Sequence, residues 1–162
     1  MDKVAKTLEW LDENHVNYEV IHHPAVFTVE DVLREIDAER HDFVCKNLFL
    51  RDFKGKRHFI LTCANDKTVD LKELGEKAGV RFSFASEERL LKHLSLTKGS
   101  VTPLGVLFDT DASVEVMFDA SLAVQQKVGV HPCENTATVF LDYADLEQLV
   151  KKHGNSVSIV QL

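Results

Sequence analysis

Two apolar runs on either side of one polar turn constrain this chain more than any other feature. Phe43-Val44-Cys45-Lys46-Asn47-Leu48-Phe49-Leu50-Arg51 reads as a buried strand interrupted by two polar residues, and His58–Ala64 as its return strand. Asp52–Arg57 between them is polar and contains Gly55, so the segment predicts a β-hairpin. Ahead of it, residues 4–14 place Val4, Leu8 and Leu11 on one helical face with Trp10 beside it. A short strand follows near Tyr18–His22, and Pro24 breaks the chain. Thr28, with Asp31 three residues later, opens a second helix through about Asp37.

Beyond the hairpin, Asp70 and Glu73 cap a helix that ends at Gly79, and Arg81–Ala85 is a short alternating strand. Ser86, followed by Glu87 and Glu88, starts another helix through about Leu94. After a loop from Thr97 to Pro103, strands are expected at about 104–108 and 113–118, paired as a second hairpin. A polar loop over 129–136 leads into a strand at 137–141. Asp142 caps a last helix to Lys152, which ends at Gly154, and Val157–Val160 is a closing strand. The alternation of strands and helices, without repeat or linker, predicts one mixed α/β domain over 1–162 with a partly antiparallel sheet.

Composition excludes several function classes. No apolar run approaches the ~18 residues of a membrane span, and the N-terminus has no apolar signal region, so a cytoplasmic protein is expected. Three widely spaced cysteines, Cys45, Cys63 and Cys133, form neither a disulfide framework nor a C-x-x-C metal site. There is no H-E-x-x-H, no zinc-deaminase signature and no G-x-S-x-G, and adjacent His22 and His23 point apart in a strand. Neither metal nor cofactor is expected. The net charge of -7 argues against a protein that coats long duplexes, and leaves room for a small basic site at one nucleic-acid end.

Three places break the apolar pattern. Lys46-Asn47 stands inside the first hairpin strand; the lysine either faces solvent from an edge or aims its ammonium at a phosphate or a developing oxyanion. Gly99-Ser100-Val101-Thr102-Pro103 is either a plain helix-to-strand turn or a loop whose backbone approaches a ligand. His131 and Asn135, in His131-Pro132-Cys133-Glu134-Asn135-Thr136, are either solvated or line the mouth of a cleft. Cys133 lies two residues from His131 but has no orienting partner to make it a nucleophile.

In series, these pieces resemble the YbaK/ProX-like aminoacyl-tRNA deacylases. The matching stretches are Lys46–Leu50, Asp70-Leu71-Lys72, Phe82–Glu87, Gly99–Gly105, Phe118-Asp119, His131-Pro132 and Asn135–Thr138, spread over about residues 15–160. The Gly-Ser-Val-Thr-Pro loop and the Lys-Asn-Leu-Phe-Leu strand look closest to the stand-alone prolyl-tRNA editing proteins that clear alanine from proline tRNA. The resemblance implies a mixed sheet of barrel-like curvature flanked by helices, and hydrolysis of the ester joining a wrong amino acid to the terminal ribose. It gives Lys46, Gly99 and His131 catalytic positions. Asn47, Ser100, Val101, Thr102, Pro103, Asn135 and Thr136 take substrate-binding ones. Cys133 stands where the family has an apolar residue such as leucine, which bears on the shape of the amino-acid pocket.

The implied partner is the acceptor end of an aminoacyl-tRNA, with prolyl-tRNA synthetase as a further one. Arg51, Lys54, Lys56, Arg57 and Lys98 form either a basic patch for that end or a solvated turn. A non-catalytic aminoacyl-tRNA or amino-acid binding module of the same fold, or a deacylase for serine or cysteine, is the competing reading. Lys46 and the intact Gly99–Pro103 loop favour catalysis.

Overall fold

In the computed structural model, which describes residues 1–162, the apolar hairpin forms. Its strands are β2 (Cys45–Asp52) and β3 (His58–Ala64), antiparallel, with Lys46 opposite Cys63 and Asn47 opposite Thr62. The remaining strands are β1 (Tyr18–His22), β4 (Phe82–Phe84), β5 (Glu115–Asp119), β6 (Lys127–Val130), β7 (Ala137–Asp142) and β8 (Val157–Val160). The helices are α1 (Lys3–Glu13), α2 (Val29–Glu35), α3 (Leu71–Ala78), α4 (Glu87–Leu94), α5 (Ser121–Gln125) and α6 (Tyr143–His153). None is long and apolar enough to cross a membrane.

Helix boundaries follow their caps. The Thr28 hydroxyl accepts from the Asp31 amide at 3.1 Å, the Asp70 carboxylate from the Lys72 and Glu73 amides, and the Ser86 hydroxyl from the Arg89 amide. Gly79 ends α3 in the left-handed conformation at φ 69°. Asp142 precedes α6 without a side-chain cap bond, contrary to expectation.

The mixed α/β class holds, but no sheet closes into a barrel. Five strands lie in the order β4-β2-β3-β5-β8 and three in the order β1-β7-β6, and the two sheets meet at an isolated bridge between Val44 and Gly129. The second hairpin expected over 104–118 does not exist. Pro103–Phe108 is a 3₁₀ helix, opened by Pro103, which has no N–H for a ladder, and capped by Thr102, whose hydroxyl accepts from the Leu104 amide at 3.3 Å. β5 instead runs parallel to both β3 and β8. α5, β6 and a 3₁₀ segment at Ala38–Phe43 are too short to have left a periodic signal.

Three apolar clusters explain the strand patterns. The largest joins α1, β2, β3, β5, β7 and α6 through Leu11, Phe49, Ile60, Phe118, Val139 and Leu146. On the opposite face of β2 and β3, Leu50, Phe59 and Leu61 pack with Leu74 of α3. All of β3 is therefore buried, which is why it reads as an unbroken apolar run. The third cluster, Val26, Val32, Ile36, Val44 and Phe140, seats α2 beside the three-stranded sheet.

Candidate active site

A cavity of about 240 Å³ lies where the two sheets meet under α2. Its walls are Val44 and the start of β2 (Cys45, Lys46, Asn47), the end of β6 with His131, Thr138 of β7, Gly99 and Val101 of the long loop, and Phe27, Thr28, Val29 and Val32 around α2. Residues far apart in sequence meet here because Val44, just before β2 of one sheet, bridges to Gly129 in β6 of the other. The bridge is close-packed: a Cβ on Gly129 would stand 2.5 Å from the Phe140 ring.

Lys46 and Asn47 both line the cavity, although neighbours on a strand point to opposite faces, because the wall wraps the end of β2. The Lys46 ammonium is half-buried and donates to the Lys67 carbonyl, which leaves two of its three donors uncommitted. Asn47 Oδ1 accepts from the Thr62 hydroxyl at 2.7 Å, which fixes the amide and leaves Nδ2 as a donor.

From the long loop, Gly99 and Val101 reach the cavity. Neither backbone N–H donates to a protein acceptor, while the Ser100 N–H between them is spent on the Thr97 carbonyl at 3.0 Å. Gly99 has φ 89°, and a Cβ there would lie 3.0 Å from the Phe27 ring and 3.4 Å from Asn135 Nδ2. Both the backbone conformation and the close approach require glycine. Ser100, Thr102 and Pro103 are buried behind this wall and shape the loop.

His131 lines the cavity through a ring whose Nδ1 donates to the Ala137 carbonyl at 2.7 Å, since a carbonyl can only accept. In the neutral ring Nε2 is then an unprotonated acceptor. It has no protein partner, and no side-chain polar atom sealed from solvent lacks one, so Nε2 is open to solvent. Burial pushes the His131 pKa down, the Ala137 bond opposes the shift, and the nearby His23 adds to it. A neutral imidazole with a free lone pair is what a general base requires.

Asn135 and Thr136 are scaffold rather than wall. Asn135 Nδ2 donates to the Val26 carbonyl at 2.6 Å, and the Thr136 carbonyl accepts from the His23 amide at 2.9 Å. These bonds pin the segment that carries Phe27 to the His131 loop, and the Thr136 side chain is exposed. Cys133 does not shape the pocket: it is 1% exposed within the main core, and burial pushes its thiol up to about 12. The cavity's own thiol, Cys45, is pushed up to about 12 by burial as well, so neither is a ready nucleophile. The basic patch divides. Arg57 pairs with Glu115 at 2.8 Å, Lys98 stands 4.0 Å from Glu87, and the hairpin tip lies six residues along β2 from Lys46, roughly 20 Å at strand rise.

Sequence reasoning did not assign Phe27, Thr28, Val29, Val32 and Thr138 to the site, nor His23 behind it. Thr138 stands inside the Asn135–Thr138 stretch that carried the resemblance, which was a usable signal. The α2 residues gave none, since they reach the cavity only through the packing of that helix.

This fold, with a lysine, unpartnered loop amides and a neutral histidine around one cavity, is that of an editing domain. The chain belongs to the aminoacyl-tRNA editing domain family, whose model matches residues 23–149. It is 47% identical over its full length to the prolyl-tRNA editing protein ProX of Acetoanaerobium sticklandii, covering 99% of that protein. It is 34% identical to prolyl-tRNA synthetase associated domain-containing protein 1 of Mus musculus, over 90% of this chain and 88% of that protein. Among solved structures, it superposes on a candidate trans-editing enzyme for prolyl tRNA synthetase with a TM-score of 0.76 at 17% identity, covering 100% of this chain and 98% of that one, a likeness of fold.

Proposed function

We propose that the chain, acting over 1–162 as one unit, hydrolyses the ester of alanine wrongly attached to proline tRNA and spares correctly charged proline tRNA. An aminoacyl ester is already activated, so the site has to place a water and hold the oxyanion rather than supply a strong nucleophile. His131 Nε2 takes a proton from the attacking water, and the water oxygen bonds to the carbonyl carbon. The Gly99 and Val101 N–H groups receive the charge on the carbonyl oxygen. The carbon–oxygen bond to the ribose then breaks, the proton passes to the ribose oxygen, and free amino acid and tRNA leave. The Lys46 ammonium holds a terminal phosphate or the carbonyl charge.

The observation that carries this reading is the pair of loop amides without protein partners in the cavity that also holds Lys46 and His131. The ProX relative supports proline tRNA as the carrier. Discrimination against the proline ring is read as steric, at the wall that meets the amino-acid side chain, because affinity for one extra methylene alone is worth only about 1–3 kcal/mol. The place of such an enzyme is the cytoplasm, where aminoacyl-tRNA is used, and prolyl-tRNA synthetase is a partner in keeping with the role. Single-turnover deacylation of alanyl- and prolyl-tRNA(Pro) tests it: the alanyl ester is expected to be cleaved much faster, and equal rates would sink the proposal.

A further inference from the structure

We propose that Thr138 binds the amino group of the substrate's aminoacyl moiety, and that His23 fixes the direction of the Thr138 hydroxyl so that it can. The inference rests on the deacylase reading above and names a part of that same site. An aminoacyl ester brings an amino group into the cavity, and a donor taken out of water without an acceptor is costly. No aspartate or glutamate lines the cavity, so the acceptor has to be a neutral oxygen or nitrogen.

The hydrogen bonds decide which. His23 Nδ1 lies 2.9 Å from the Pro24 carbonyl, and a carbonyl cannot donate, so Nδ1 carries the proton. In the neutral ring Nε2 is then an acceptor, and its partner at 2.8 Å is the Thr138 hydroxyl, which has to donate. The Thr138 hydrogen is therefore committed away from the cavity, and only lone pairs of its oxygen remain for a ligand. The other polar side chains of the wall are placed differently. Asn47 Oδ1 already accepts from Thr62, and Thr28 Oγ1 already accepts from the Asp31 amide and keeps its hydrogen free. His131, whose ring centroid is 6.1 Å from that of His23, is used by the water. Thr138 lines the cavity and is otherwise buried, so a hydrogen bond made there competes little with solvent. His23 is a positioning residue in this scheme: it touches Thr138 and not the substrate.

The test compares alanyl-tRNA(Pro) with propionyl-tRNA(Pro), which has the same carbon skeleton without the amino group. Each single-turnover rate is divided by the uncatalysed hydrolysis rate of that ester, because the amino group itself activates the bond. The wild type is expected to prefer the alanyl ester by about tenfold or more, the usual worth of a hydrogen bond to a charged group. Thr138→Val, which keeps the shape, is expected to lose most of that preference, and Thr138→Ser to retain it. His23→Leu is expected to resemble Thr138→Val, because the hydroxyl hydrogen is released to turn into the cavity; His23→Gln, which restores an acceptor, is expected to recover part of the preference. Thr138→Val that slows both esters by the same factor, or neither, overturns the subsite while leaving the deacylase reading intact. A wild type inactive on both esters overturns both.

Discussion

At the scale of single residues, Lys46 is where pattern and geometry bear most directly on each other. Its place in an apolar run left two readings, an edge lysine or an ammonium aimed at an anion. The structure puts it half-buried in the cavity wall with one donor on the Lys67 carbonyl and two uncommitted. Lys46→Ala is expected to slow single-turnover deacylation by about 10²–10³, the usual cost of losing one preorganised donor. Lys46→Arg is not expected to rescue fully, because a planar guanidinium does not replace a compact ammonium in a closed space. Melting should stay near wild type, since Lys67 is only half-buried and water can reach its carbonyl. A Lys46→Ala protein that melts normally and keeps its rate within about threefold, a small barrier change, removes Lys46 from the mechanism. Other residues were less legible. The pattern brought out Gly99 and His131, and the structure keeps both at the cavity. It singled out Asn135 and Thr136 as well, and their hydrogen bonds show that they hold the Phe27 segment in place.

At the scale of elements, the helix α2 forms one wall of the site and is short. It has seven residues, fewer than an isolated helix needs, so its caps and its apolar side hold it. Thr28 accepts the Asp31 amide, and Asp31 returns a bond from its carboxylate to the Phe27 amide at 3.3 Å. That bond from Phe27 is the leading reason the Asp31 carboxyl titrates below the usual carboxylate range. Thr28→Ala is expected to cost about 1 kcal/mol of cap energy, and to raise KM more than it lowers kcat because Val29 and Val32 of this helix, and Phe27 just before it, line the cavity. Thr28→Ser should restore both. An unchanged KM in Thr28→Ala would show that the wall does not depend on this cap. The caps were readable because they are local, at i and i+3. The 3₁₀ helix at Pro103–Phe108 was not: its apolar residues suit a strand, and Pro103 with Thr102 overrides that preference.

At the scale of the whole molecule, the hairpin is tied to α4 by a cluster away from the cavity. His58 is 5% exposed, stacks on Phe49 and lies 4.0 Å from the His93 ring, and Arg89 donates to both His58 Nε2 and the Gly55 carbonyl. Burial first, then His93 and Arg89, push His58 from 6.5 down to about 4. Between those values the unfolded chain binds a proton that the folded chain does not, so stability rises with pH across the window and falls as the protein is acidified through it. The melting temperature is expected to drop as pH goes from about 6.5 to about 4. His58→Gln, which keeps an acceptor for Arg89 but does not titrate, should flatten that slope. His93 and His131, also shifted down, contribute in the same direction. An identical slope in His58→Gln would assign the effect to those two instead.

The sequence by itself determined what depends on neighbours along the chain. The apolar runs with Gly55 between them specify the β2–β3 hairpin, and Thr28, Asp70, Ser86 and Gly79 specify helix ends, because period, cap and left-handed turn act within a few residues. It also marked Lys46, Gly99 and His131 as departures from those local rules. Only the tertiary structure decided what depends on residues distant in sequence. That β5 lies parallel between β3 and β8, that the strands divide into two sheets rather than one closed barrel, and that α2 and Thr138 enclose Lys46 all follow from packing. The same packing turns His23 toward Thr138 and puts Cys133 in the core. Burial and long-range hydrogen bonds choose among arrangements that a one-dimensional pattern leaves equal.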